Sequence, residues 1–120
     1  MTTKPNLLFI CSDQQRTDTI GAYGNDWIET PALNELSSRS FVFENAYVTQ
    51  PVCSPARSTM MTGLYPHSAG VVRNSKPGRP FSNLFPEVKT IAEMVDDEYV
   101  CAKYGKWHLG DDLSPQHGFT

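Results

Sequence analysis

Long apolar runs are missing from this sequence. The longest reaches from Leu7 to Cys11, whereas a membrane-crossing helix needs roughly 18 or more consecutive apolar residues. The chain is therefore expected to be soluble, with no membrane partner. An excess of basic charge is missing as well: 10 Lys and Arg face 13 Asp and Glu, for a net charge of -3. A nucleic-acid binder normally presents a basic stripe, so no nucleic-acid partner is expected. Cysteine is scarce. Cys11, Cys53 and Cys101 cannot all pair within the chain, and their wide spacing suits neither a disulfide framework nor a zinc ribbon. A reducing compartment follows, with room for one cysteine that does chemistry. A leader is not apparent either. Met1 to Pro5 has one Lys, and the apolar stretch after it is short and ends in Ser-Asp-Gln-Gln. The expected location is the cytoplasm.

What is present fits one small domain or a piece of a larger one, since the chain has 120 residues. Nine prolines and eight glycines make it loop-rich and its core modest. Pro5 to Cys11 reads as a short strand, continuously apolar as in a parallel sheet buried on both faces. The polar run from Ser12 to Arg16 stops it. Thr30-Pro31 opens a helix, with Thr30 as N-cap, Pro31 in the first turn and Leu33 and Leu36 on one face. Phe41 to Ala46 reads as a strand. Ser54-Pro55 repeats the cap-and-proline start, and Ala56 to Thr62 continues as helix until Gly63 ends it.

Leu64 to Pro86 holds four prolines and reads as a long irregular loop. Its length inside a compact domain points to a functional loop or to a missing partner. Thr90-Ile91-Ala92-Glu93 is a capping box opening a short amphipathic helix with Ile91, Met94 and Val95. Tyr99 to Lys103 reads as a further core strand that runs into Gly105-Lys106-Trp107-His108-Leu109-Gly110. Repeats and low-complexity tracts are absent. The order strand, helix, strand, helix, helix, strand is an α/β pattern. In open α/β sheets, ligands bind beyond the carboxyl ends of the strands. The polar clusters at Asp13, at Cys53 and at Lys106 to His108 are thus candidates for one converging site. The sequence stops after a Pro-Gln-His-Gly turn, which does not resemble a domain terminus, so truncation is expected.

Three clusters carry chemistry. Cys53 stands just before an expected helix start, where backbone N–H groups and the helix dipole favour negative charge. Arg57 follows one turn later and suits a tetrahedral oxyanion. The pair reads either as a nucleophile at an electropositive pocket or as a buried cysteine near a surface arginine. Asp13-Gln14, at the first strand's end, offers hard oxygen donors for Ca²⁺ or Mg²⁺, or else an Asx turn. Lys106 and His108 lie two apart in an extended segment, where one face can hold an anion and shuttle a proton. The alternative is a loop anchored by Trp107 with two solvated polar residues. His67 and His117 lie in turn-rich segments and read as surface residues.

Together these blocks resemble the sulfatase family. Cys53-Ser54-Pro55-Ala56-Arg57, with Thr62-Gly63 downstream, is similar to the first sulfatase signature, Cys-x-Pro-x-Arg. Gly105-Lys106-Trp107-His108-Leu109-Gly110 is similar to the second. Lys4 to Ile10 followed by Ser12-Asp13-Gln14-Gln15 looks like the family's opening strand and metal loop. All three occur in family order across nearly the whole chain.

The resemblance implies an alkaline-phosphatase-like α/β sandwich with a mostly parallel central sheet, of which residues 1–120 are the N-terminal, incomplete part of the catalytic domain. It implies hydrolysis of sulfate esters, small-molecule or glycan. Cys53 would be oxidised to formylglycine by a formylglycine-generating or sulfatase-maturating enzyme that reads Cys53, Pro55 and Arg57. One hydrate oxygen of the aldehyde attacks sulfur, and loss of the other's proton expels sulfate and restores the aldehyde. Arg57 would also steady the hydrate, Lys106 would neutralise sulfate oxygens, and His108 would hydrogen-bond the hydrate. Preorganised groups of this kind are usually the largest catalytic term. Asp13, Gln14 and the modified Cys53 would face a divalent cation, Ca²⁺ ahead of Mg²⁺.

Two departures stand out. Many members carry Asp-Asp where this chain has Asp13-Gln14, which removes a negative charge from the metal loop. The Gln form occurs in branches that include phosphonate monoester and phosphodiester hydrolases, the alternative activity. The family's catalytic domain is also several times longer, and its other metal ligands and a further His and Lys lie beyond Thr120. Asp111 and Asp112 stand too near the second signature to replace them. The 120 residues alone are therefore expected to fold poorly and to be inactive. A reading from another class is a small non-catalytic domain that binds a metal or anion, in which Cys53 stays a thiol.

Overall fold

A computed structural model describes residues 4–95 and 97–120. Met1–Thr3, the start of the segment read for a leader, lie outside the described residues. The chain divides into two compact units, Met1–Ala46 and Tyr47–Thr120. Among the described residues no helix is long and apolar enough to cross a membrane.

In the first unit, two 3-10 turns, Thr17–Thr19 and Gly21–Tyr23, precede helix α1, Pro31–Ser38. Pro31 sits in the first turn as expected, where its fixed φ suits the helix and its missing N–H costs nothing. Thr30 precedes the helix but its hydroxyl does not cap it. That hydroxyl accepts from the Gly21 N–H at 2.8 Å and donates to Asn34 Oδ1 at 3.0 Å. It fastens the second 3-10 turn to the helix start. Asn25 organises the turn between them, with Nδ2 donating to the Asp18 carbonyl at 2.7 Å and Oδ1 accepting from the Ile28 N–H at 2.6 Å. Arg16 forks onto Asp18 through Nε and Nη2 at 2.9 and 2.5 Å, and this hydrogen bonding holds the Asp18 carboxyl below its usual range. Leu33 and Leu36 stay exposed, and no described residue of this unit is buried.

The second unit holds helices α2, Cys53–Thr62, and α3, Ile91–Met94. Its core is Ala69, Val71, Leu84, Trp107 and Leu109, with Met61, Val88 and Phe119 packed against it. Three of these core residues come from the segment read as an irregular loop. The segment is irregular, but it is also the middle of the fold. Val71 bridges antiparallel to Ser82, the Leu84 N–H donates to the Leu109 carbonyl at 2.8 Å, and the Phe85 N–H donates to the Ala69 carbonyl at 3.2 Å. The loop thereby docks on the Gly105–Gly110 block.

Gly70 makes that docking possible, because its φ is +81° and a Cβ there would fall 2.6 Å from the Phe85 ring. Gly70→Ala is expected to destabilise by roughly 1–3 kcal/mol, from the left-handed backbone and the overlap together. A lowered denaturant midpoint in the full-length protein would show it, and an unchanged midpoint would contradict the packing.

Helix α2 starts two residues earlier than read. Val52, extended at φ -132°, precedes it, and Cys53 is already helical. Ser54 is not its cap, because the Ser54 hydroxyl is bonded across the unit instead. Gly63 ends the helix as expected, at φ +72°, its N–H donating to the Thr59 carbonyl at 2.8 Å. The buried face carries three hydroxyls, Ser54, Ser58 and Thr62, beside Pro55. Two of its hydroxyls are satisfied within the helix, Ser58 to the Pro55 carbonyl at 2.8 Å and Thr62 to the Ser58 carbonyl at 2.7 Å. At α3 the capping box forms, with the Thr90 hydroxyl accepting from Ala92 N–H and Glu93 accepting from Thr90 N–H. The helix is too short to bury a face, and Ile91 and Met94 are exposed.

The expected strands at 5–11, 41–46 and 99–103 do not form among the described residues, where pairing is confined to one isolated bridge. A parallel central sheet is therefore absent from them. Most apolar residues of those segments lie open, Leu8 at 82% and Val100 at 87% exposure, while Tyr99 and Cys101 are partly buried. A strand exists only through a ladder of its neighbours' hydrogen bonds, and no described segment forms a β-bridge with these three; the 99–103 segment has a lone backbone bond from the Thr120 N–H to the Cys101 carbonyl at 2.9 Å. His117 also differs from its reading as a surface residue. It is partly buried, with its ring 6.1 Å from that of Trp107 and Nδ1 3.7 Å from Glu93 Oε2. His67 is exposed and stacks on Tyr65.

Candidate active site

The site is built where α2 begins. Cys53 is its first residue, half-buried and a free thiol. Residues four apart share a helix face, so Arg57 lies one turn along from Cys53. Its Nη1 donates to the Lys106 carbonyl at 2.7 Å. The same carbonyl accepts from Lys103 Nζ at 2.7 Å, and that ammonium also donates to the Gly105 carbonyl at 3.1 Å. Two cations therefore converge on one peptide oxygen, beside Lys106 itself. Lys103 Nζ further lies 5.7 Å from the Trp107 ring centre, within range of a cation–π attraction.

Trp107 anchors this segment. It is 7% exposed, with Phe119 edge-on at 5.8 Å, and Leu109 beside it is 1% exposed. Lys106 is exposed and His108 half-buried, so the two residues flanking Trp107 lie at or near the surface while it is sunk in the core. The segment is not regularly extended, however. His108 has φ +60°, a left-handed conformation rare outside glycine and worth of order 1–3 kcal/mol of strain. The expected same-face pairing of Lys106 and His108 rested on an extended backbone, and that backbone turns at His108. Its Nδ1 is buried with no hydrogen-bond partner among the described residues. Such an orphaned group is costly and uncommon in a core.

Ser54 joins the two blocks. It is fully buried, its hydroxyl donating to the His108 carbonyl at 2.5 Å and accepting from the Ser75 N–H at 2.9 Å. Its own N–H donates to Asn74 Oδ1 at 3.1 Å. Pro55 beside it is also fully buried. Sequence reasoning singled out Cys53, Pro55, Arg57, Lys106 and His108, and one unit contains them all. It gave no site role to Ser54, read as a helix cap, to Lys103, or to Asp112, set aside as a metal ligand, whose carboxylate accepts the His108 N–H at 2.8 Å. The available signal was position alone: Ser54 lies inside Cys-x-Pro-x-Arg, and Lys103 and Asp112 closely flank the second block. Asp111 only shapes its own turn, and hydrogen bonding from Ser114 and Leu113 holds its carboxyl below the usual range.

Asp13 and Gln14 belong to the other unit, and both are exposed. Gln14 has φ +57°, so the metal-loop candidate is also a strained turn. No three His, Cys, Asp or Glu side chains gather to hold a metal ion among the described residues. Two hard oxygen donors fit Ca²⁺ or Mg²⁺ in kind, but Ca²⁺ takes about 6–8 oxygens, so this pair supplies only part of a set.

The sulfatase family model matches residues 5–120. An uncharacterised sulfatase of Escherichia coli K12, YidJ, is 34% identical over 107 residues, covering 88% of this chain and 20% of that protein. An ulvan-active sulfatase of Formosa agariphila is 37% identical over 108 residues, covering 89% and 20% respectively. Human steryl-sulfatase is 32% identical over 114 residues, covering 90% and 20%. The chain thus spans about a fifth of the length of these curated relatives. With its family model matched from residue 5 to residue 120 and both signature blocks locked together in one unit, the chain belongs to the sulfatase family.

Proposed function

We propose that these residues are the N-terminal part of a catalytic domain that hydrolyses sulfate esters, with Cys53 as the precursor of a formylglycine nucleophile. One observation carries this reading. Arg57 is bonded to the backbone of Lys106, and Ser54 to that of His108, so the first signature's nucleophile and the second signature's cation and imidazole are held as one body. The full domain would have the family's alkaline-phosphatase-like α/β sandwich with a central parallel sheet. The open apolar segments around Leu8 and Val100 are the ones such a sheet would use.

The formylglycine supplies a hydrated aldehyde as the attacking group. Arg57 positions that hydrate from one turn along α2 and, through Lys106, is itself held in place. Lys106 meets sulfate oxygens as a point charge. His108, its Nδ1 not committed to a partner among the described residues, hydrogen-bonds the hydrate and moves its proton. Asp13 and Gln14 would give oxygen ligands to a divalent cation, calcium ahead of magnesium, with the modified Cys53 side chain facing it. The cation would supply positive charge against the sulfate oxygens. The protein partner implied is a formylglycine-generating or sulfatase-maturating enzyme that reads Cys53, Pro55 and Arg57.

Gln14 favours a second reading, a phosphonate monoester or phosphodiester hydrolase of the same superfamily, because it leaves the metal loop one negative charge short. Paired assays of the full-length protein on an aryl sulfate and an aryl phosphonate decide between them. The sulfate is expected to be turned over with the higher kcat/KM. A higher value for the phosphonate would overturn the sulfatase assignment and favour the second reading.

A further inference from the structure

His108 is held in its left-handed conformation from both sides of its backbone. On one side its N–H is taken by Asp112 Oδ1 at 2.8 Å. On the other its carbonyl is taken by the buried Ser54 hydroxyl at 2.5 Å. The first contact spans four residues of the same loop, while the second crosses from the helix that carries Cys53. A backbone held at positive φ without glycine persists only where its surroundings over-determine it, and here the two hydrogen bonds do so. Two neighbours are themselves fixed. Ser54 is anchored by Asn74 and Ser75, and the segment entering His108 is pinned by buried Trp107.

We propose that Ser54 and Asp112 are positioning residues for catalysis, a clamp that holds the His108 peptide so that its imidazole faces the group formed at Cys53. This inference rests on the sulfatase reading above. Neither residue touches substrate. They act through the His108 backbone, and Ser54 also sets the distance between that backbone and the first turn of α2. Residues of this supporting kind typically cost roughly 10–100-fold in activity when removed.

Asp112 is exposed, so its replacement leaves the core untouched and makes the cleaner test. In the full-length protein, Asp112→Ala is expected to lower kcat on an aryl sulfate roughly 10–100-fold, with KM, thermal midpoint and the aldehyde content at Cys53 unchanged. Asp112→Asn keeps an oxygen that accepts the His108 N–H, so it should recover most of that kcat. Ser54→Ala is expected to show the same fall in kcat per mole of aldehyde. The clamp is overturned if Asp112→Ala keeps wild-type kcat, if Asn does no better than Ala, or if kcat falls only in step with the thermal midpoint. A wild-type protein with neither aldehyde nor turnover overturns the underlying reading and the clamp's role with it, and it declares itself before any substitution is made.

Discussion

Cys53→Ala in the full-length protein is expected to abolish sulfate-ester hydrolysis, by roughly 10⁵-fold or more, while leaving the fold intact. The two halves of this expectation have separate causes. The side chain at 53 would be the whole covalent chemistry, and no neighbour can replace an aldehyde hydrate. Its structural share is small. Cys53 is only half-buried at the first position of α2, and the helix is anchored by Ser54, Pro55, Ser58 and Thr62 on the face beside it. The measurement is turnover together with the mass of the peptide containing residue 53, taken from active wild-type protein. An aldehyde in place of the thiol is expected there. An active enzyme whose Cys53 is an intact thiol would remove the formylglycine from the mechanism, and an intact thiol without turnover would return the chain to the non-catalytic metal- or anion-binding reading.

The largest effect on stability should come from Trp107. It is the biggest side chain of the core cluster and touches both the loop that docks on it and the segment ending at Phe119. Trp107→Ala is expected to cost about 3–5 kcal/mol, the transfer term plus the cavity. Activity should fall as well, since Lys106 and His108 flank the anchor directly. Trp107→Phe should cost much less. The indole N–H is buried without a partner among the described residues, so the smaller ring gives up no hydrogen bond there. Urea unfolding of the two variants beside wild type checks this. A cost for Ala below about 1 kcal/mol would mean that Trp107 does not hold the core together.

Those two residues show how unevenly the molecule could be read in advance. Cys53 and Arg57 were legible because their relation is local, four residues along one helix that Gly63 ends. The capping box at Thr90 and Glu93 was legible for the same reason, since both hydrogen bonds close within one turn. The serine of Ser54-Pro55 also looked local and was misread. A small hydroxyl beside a proline is an ordinary helix cap in sequence, and nothing in the pattern says that its partner is a carbonyl 54 residues away. Lys103 was hidden in a similar way. It was read only as the last residue of an expected strand, but it shares the Lys106 carbonyl with Arg57.

The strands failed for a different reason. Leu7 to Cys11 and Tyr99 to Lys103 have the composition of buried strands, but composition states only what a segment would do with neighbours. Among the described residues no β-bridge forms with them, and most of the side chains remain open. By itself, then, the sequence determined the family and such local features as Pro31 in the first turn of α1, the end of α2 at Gly63 and the capping box of α3, because motif spacing, caps and prolines act over a few residues. Tertiary structure alone decided that Ala69, Val71 and Leu84 of an apparently featureless loop build the core. It alone decided that the two signatures meet through backbone carbonyls, and that His108 is bent to positive φ. Each of these depends on contacts between residues distant in the chain, and every residue carries the same carbonyl group, so no side-chain pattern records which one is bound.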